Sequence, residues 1–79
     1  MILSDMKLRK LSELEPGNKA IIDSFIDEEL SVRLLELGCL PGEEVEIAHI
    51  APLGDPIAIH LYGHKLSLRK KEAESILVK

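Results

Sequence analysis

Short apolar segments separated by closely spaced turn signals limit the fold of this chain more than any other feature. Pro-Gly pairs at residues 16–17 and 41–42 each precede a segment that is rich in β-branched or alternating apolar residues. The segments predicted as strands cover residues 19–26, 44–49, 57–62 and 65–69. Strands this short and evenly spaced are typical of a small barrel or a curled sheet, and not of an α/β sandwich.

One helix is predicted with clear start and stop signals, over residues 28–37. Asp27 is a suitable N-cap, and Gly38 stands where a helix commonly ends in a left-handed residue. One apolar stripe follows helical spacing: Leu30, Leu34 and Leu37. Glu29 and Arg33 are spaced for an i, i+4 ion pair. A second, short helix is predicted within residues 70–76, followed by a last short strand at 77–78.

Composition excludes several classes of function. A chain of 79 residues with 46% hydrophobic and 30% charged residues is one small folded domain. Its net charge of −4 and its two aromatic residues argue against binding duplex or single-stranded nucleic acid. The single cysteine excludes an internal disulfide, and no apolar run is long enough for a signal or a membrane span. We therefore expect a cytoplasmic protein without direct membrane insertion.

Motifs for catalysis, cofactors and metals are also missing from the sequence. It contains no GxSxG, GxGxxG or P-loop signature, so we expect neither an enzyme nor a bound cofactor. The candidate metal ligands are Cys39, His49, His60 and His64. They lack the tight spacing of metal motifs, and His49 continues the alternation of Val45 and Ile47. We therefore predict no specific metal site, with Cys39 as a small buried residue.

Exposed apolar and basic residues are the remaining candidates for function. Val32 and Leu35 lie off the helical stripe, although periodicity alone leaves open whether Leu34 or Leu35 faces outward. Leu53 in the loop 51–56 either makes a contact at the loop tip or folds back onto the barrel mouth. The predicted partner-binding residues are Val32, Leu34, Leu35, Leu53, Gly54, Arg69 and Lys70.

Three blocks of this sequence together resemble one protein family. They are LLxLGxLPG at residues 34–42, APLGDPI at 51–57 and LSLRKKE at 66–72, and the chain opens in a similar way with LSELEPG at 11–17. In this order they are similar to FeoA, the small accessory protein of bacterial ferrous iron transport. The resemblance covers residues 11–79 and leaves residues 1–10 as an N-terminal extension.

The resemblance implies a fold, a function and a partner. The fold would be a small SH3-like β-barrel of about five strands with one helix and a short C-terminal helix. The function would be support of ferrous iron uptake, through binding to the cytosolic GTP-binding part of the FeoB membrane transporter. The alternative is an SH3-like regulatory domain that works with an iron-dependent DNA-binding repressor, because such repressors carry the same fold.

Overall fold

Six strands and two α-helices form the fold in the computed structural model, which describes residues 8–79. The strands are β1 (Arg9–Lys10), β2 (Lys19–Phe25), β3 (Glu44–Ile50), β4 (Ile57–Leu61), β5 (His64–Leu68) and β6 (Ile76–Val78). The helices are α1 (Glu28–Glu36) and α2 (Lys70–Glu74), and a single 3-10 turn covers Leu11–Glu13. The predicted strands and both predicted helices are present, whereas the 3-10 turn and β1 were not predicted.

All six strands belong to one antiparallel sheet in the order β1-β6-β2-β3-β4-β5. The prediction of a small, mainly β, barrel-like fold is confirmed, with six strands instead of about five. Over residues 8–79 the sheet ends at β1 and β5, so the barrel is not closed by pairing between its first and last strands.

The first strand includes residues that the sequence assigns to the N-terminal extension. Arg9 pairs with Val78 and Lys10 with Leu77, so the sheet begins two residues before position 11. Residues 1–7 of that extension lie outside the described range.

A β-bulge changes which face of β3 carries His49. The register between β3 and β4 shifts between Ile47 and His49, which leaves Ala48 as the additional residue. Val45 and Ile47 are buried, but His49 is exposed. The alternation predicted from the sequence is therefore wrong at His49, because one inserted residue turns the following side chain to the opposite face.

Both ends of α1 have the predicted caps. The Asp27 carboxylate accepts hydrogen bonds from the backbone N–H groups of Glu29 at 2.8 Å and Leu30 at 3.1 Å. Gly38 has a φ of +99°, and the Cys39 N–H donates to the Leu34 carbonyl at 2.9 Å. These caps fix where α1 starts and stops, and so fix which residues it presents to the core.

The hydrophobic core fills the space between the sheet and the helices. Its buried members are Leu11, Leu14, Ile22, Leu34, Cys39, Val45, Ile47, Ile57, Ile59, Leu61, Leu68, Ala73, Ile76 and Val78. Leu30 and Leu37 pack against this cluster, so the predicted stripe of α1 does face the core. At about 25 cal/mol per Å² of apolar surface, this burial is the main stabilising contribution to so small a domain.

Candidate partner-binding site

The exposed face of α1 carries Val32 and Leu35, with 58% and 42% of their surface accessible. They are neighbours on that face because their spacing is i, i+3. Leu34 is completely buried, so its prediction as a partner contact is wrong. The helix offers Leu35 to the surface because Leu30, Leu34 and Leu37 define the core-facing stripe.

The tip of the β3–β4 loop carries the most exposed large apolar side chain of residues 8–79. Leu53 has 93% of its surface accessible, so it points away from the barrel mouth. The loop is tightened by a hydrogen bond of 2.7 Å from the Gly54 N–H to the Ala51 carbonyl. The tight turn fixes the backbone at Leu53, so less backbone conformational entropy is lost when this residue is bound.

The basic corner is formed by Arg69 and Lys70, where β5 leads into α2, and it lies next to the β3–β4 loop. Both residues are exposed, and the Lys70 N–H donates to a carboxylate oxygen of Asp55 at 3.1 Å. Two regions that the sequence presents as separate candidates are therefore neighbours in the fold.

An ion pair joins α1 to the same corner. Arg33 Nε lies 2.6 Å from Glu72 Oε2, and the second carboxylate oxygen of Glu72 accepts from the Arg69 N–H at 2.9 Å. The Glu72 side chain is only 6% exposed, whereas that of Arg33 is 61% exposed. The predicted pairing of Arg33 with Glu29 is therefore wrong. Glu72 gives no local signal in the sequence, because its partner is 39 residues away.

A cavity of about 440 Å³ lies where these regions meet. Its walls include Arg33 of α1, Asp55 of the loop, and Arg69 and Glu72 of the corner. The helix, the loop and the basic corner thus surround one polar recess. An anionic or hydrogen-bonding group of a partner has donors available there, because a guanidinium carries five N–H donors and the contact with Glu72 uses only Nε.

The candidate metal ligands do not converge. His49, His60 and His64 are exposed, and His60 lies opposite Lys65 while His64 lies opposite Leu61. Cys39 is buried, and burial together with the negative charge of Glu72 raises the pKa of its thiol above 9.0. Over residues 8–79 no group of three or more His, Cys, Asp or Glu side chains is arranged to hold a metal ion.

In the part of the chain that the structure describes, residues 8–79, neither α1 nor α2 is long and apolar enough to cross a bilayer.

Comparison with known proteins identifies one family along almost the whole chain. The family model described as FeoA domain matches residues 9–79. A curated relative, the Fe(2+) transport protein A/Fe(2+) transporter FeoB fusion protein of Porphyromonas gingivalis, is 33% identical over 70 residues. That match covers 87% of this chain but only 8% of the length of the fusion protein.

Solved structures show the same fold. The NMR structure of an FeoA-like protein from Clostridium acetobutylicum is 39% identical, with a TM-score of 0.87 over 92% of this chain and 86% of that one. The zinc complex of Stenotrophomonas maltophilia FeoA, described as a procaryotic SH3 domain protein, is 32% identical. Its TM-score is 0.78 over 90% of this chain and 89% of that one. The fold predicted from the sequence is therefore confirmed as SH3-like.

Proposed function

Because the chain belongs to the FeoA domain family, we propose that it is an accessory protein of ferrous iron uptake that acts by binding a transporter of the FeoB type. The proposed contact on that transporter is its cytosolic GTP-binding part, and the protein acts in the cytosol. It acts by binding one conformational state of its partner more tightly than another, and needs no catalytic site to do so.

The observation that carries this proposal is the fusion protein of Porphyromonas gingivalis. One polypeptide there joins a segment similar to this chain with FeoB. Fusion raises the effective concentration of one module at the other to about the millimolar range, which is useful when the two modules interact. This favours the transporter as partner over an iron-dependent DNA-binding repressor.

The proposed contact surface consists of Val32 and Leu35 on α1, Leu53 and Gly54 in the loop, and Arg69 and Lys70 at the corner. Val32, Leu35 and Leu53 are apolar and exposed, and the corner adds positive charge beside them. Apolar anchors with charged neighbours are typical of interfaces in which a few residues supply most of the binding energy.

Binding to the isolated cytosolic part of an FeoB-type transporter tests the proposal. We expect Leu35→Gln or Leu53→Gln to keep the native circular dichroism spectrum and to weaken binding about tenfold or more, as expected for an interface anchor. Ile26→Gln is the control, because Ile26 is an apolar residue outside the proposed surface and its exposure of 55% lies between those of Leu35 and Leu53.

Two different failures can be told apart in this experiment. If the unchanged protein does not bind the transporter part, the proposed partner is wrong. If it binds and both folded variants bind equally well, the partner is right and the contact surface lies elsewhere. Ferrous iron uptake in cells that carry each variant should follow the order of the measured affinities.

A further inference from the structure

Asp55 and Lys70 lie two residues beyond the end pair of β4 and β5. Ile57 pairs with Leu68, so the antiparallel register brings the residues that flank this pair close together. The Asp55 carboxylate accepts a hydrogen bond of 3.1 Å from the Lys70 N–H. Lys70 is the first residue of α2, where an N–H has no partner within the helix. A carboxylate is a strong acceptor for this group, because charge-assisted hydrogen bonds are roughly twice as strong as neutral ones.

The hydrogen bonds inside the β3–β4 loop fix its shape but not its tilt. The Ala51 N–H donates to the Pro56 carbonyl at 3.1 Å, and the Gly54 N–H donates to the Ala51 carbonyl at 2.7 Å. Both bonds join loop residues to each other, so neither determines how the loop is inclined towards α1. The contact of Asp55 with Lys70 does, because it joins the loop to the first residue of α2.

The same helix α2 also fixes the position of α1. The Glu72 carboxylate accepts from the Arg69 N–H at 2.9 Å through one oxygen and from Arg33 Nε of α1 at 2.6 Å through the other. At the opposite end of α2, Ser75 Oγ accepts from the N–H of Asp27, the N-cap of α1, at 3.0 Å. Two points of contact thus join α1 to α2, and the bond of the loop to α2 sets the loop relative to both helices.

We propose that Asp55 is a positioning residue for partner binding, which orients the loop so that Leu53 and the exposed face of α1 reach one partner surface together. This rests on the proposed function and deepens it, since it names what sets the relative position of the two apolar parts of the contact surface. Leu53 and Leu35 lie on separate elements, and freedom of movement between them is lost when a rigid partner contacts both. The bond of Asp55 to Lys70 removes part of that freedom before the partner binds.

Removing the acceptor and removing only the charge have different effects when Asp55 acts by positioning. We expect Asp55→Ala to keep the native circular dichroism spectrum and to weaken binding to the isolated cytosolic part of an FeoB-type transporter about three- to tenfold. Asp55→Asn keeps an oxygen acceptor, so its affinity should stay within about twofold of that of the unchanged protein. Glu74→Ala is the control and should leave binding unchanged, because Glu74 is an exposed carboxylate of α2 that lines a different cavity.

A double-mutant cycle tests whether Asp55 acts through Leu53. In a protein that carries Leu53→Gln, Asp55→Ala should weaken binding little further, because the side chain that it positions is already lost. In a protein that carries Leu35→Gln, Asp55→Ala should keep most of its effect, because Leu53 still makes its contact. In the free protein, amide hydrogen exchange at Lys70 should be faster in Asp55→Ala and nearly unchanged in Asp55→Asn, since only the first variant loses the acceptor.

The possible failures of the proposal differ from one another. If the unchanged protein does not bind the transporter part, the proposed function is wrong and the role of Asp55 is wrong with it. If the unchanged protein binds and Asp55→Ala binds equally well, or if the effects of Asp55→Ala and Leu53→Gln are additive, the proposed function stands and the positioning role is wrong. If Asp55→Asn binds as weakly as Asp55→Ala, the charge of Asp55 contacts the partner directly. Equal weakening by Glu74→Ala would mean that only net charge matters.

Discussion

Tyr62 combines an exposed side chain with a backbone conformation that suits few residues. Its φ is +57°, and with Gly63 at +78° it forms a turn in which asparagine is the preferred first residue. A side chain other than glycine in this region costs roughly 1 kcal/mol. The carboxylate of Glu43 beside the Tyr62 hydroxyl raises its pKa above 10.0, through hydrogen bonding first, with smaller effects of burial and of the charge.

Ultraviolet titration can measure this pKa directly, because the chain contains one tyrosine and no tryptophan. We expect a midpoint above 10.0, which Glu43→Gln lowers towards the ordinary value. Glu44→Gln removes the same charge at the next residue and should change the midpoint less. Since folding raises this pKa, the contribution to stability is complete below about pH 10 and is lost as the pH rises through the raised pKa. An unchanged midpoint in Glu43→Gln would contradict the assignment.

Helix α1 shows which features of an element its own sequence determines. Asp27, Gly38 and the apolar stripe act within a few residues, so both ends of the helix and its buried face could be predicted. The ion pair of Arg33 could not, because the i, i+4 partner Glu29 is exposed to water while Glu72 is brought close only by the tertiary fold. A nearly buried carboxylate binds the guanidinium more strongly than a solvated one does.

The link between α1 and α2 gives a test of this difference. We expect Arg33→Gln to lower the free energy of unfolding by about 1–2 kcal/mol, since it leaves the Glu72 carboxylate nearly buried with only the Arg69 N–H as partner. Glu29→Gln should change it by less than about 0.5 kcal/mol. Urea unfolding followed by circular dichroism measures both values. An equal loss of unfolding free energy in the two variants would contradict Glu72 as the main partner of Arg33 and would support the pairing with Glu29 that the sequence predicts.

At the scale of the whole molecule, the strand pattern was sufficient to predict the class of fold but not its details. Enrichment in β-branched residues located β2, and alternation located β3 to β5. Alternation missed the bulge at Ala48 that exposes His49, because a bulge leaves no mark in the apolar pattern. Most of the predicted surface residues are exposed as expected, with Leu34 as the exception. The sequence could not predict that these residues surround one recess, because the loop, the corner and α1 are distant in sequence and meet only in the tertiary fold. Their role in binding stays a prediction.

The position of β6 has a consequence for the order in which the sheet forms. It is the last strand of the chain but lies between β1 and β2, and the pair of Phe25 and Ile76 joins residues roughly fifty positions apart, which makes its loop closure slow. The pairs of β3, β4 and β5 are local by comparison. In pulsed hydrogen exchange during refolding, we expect the amides of Ile59 and Leu66 to be protected before that of Lys79, whose N–H donates to the Ile21 carbonyl at 2.9 Å. Simultaneous protection, or the reverse order, would contradict this expectation. On this order of events, the edge of β2 that β6 later covers stays open until the last step, and an open strand edge can pair with other chains.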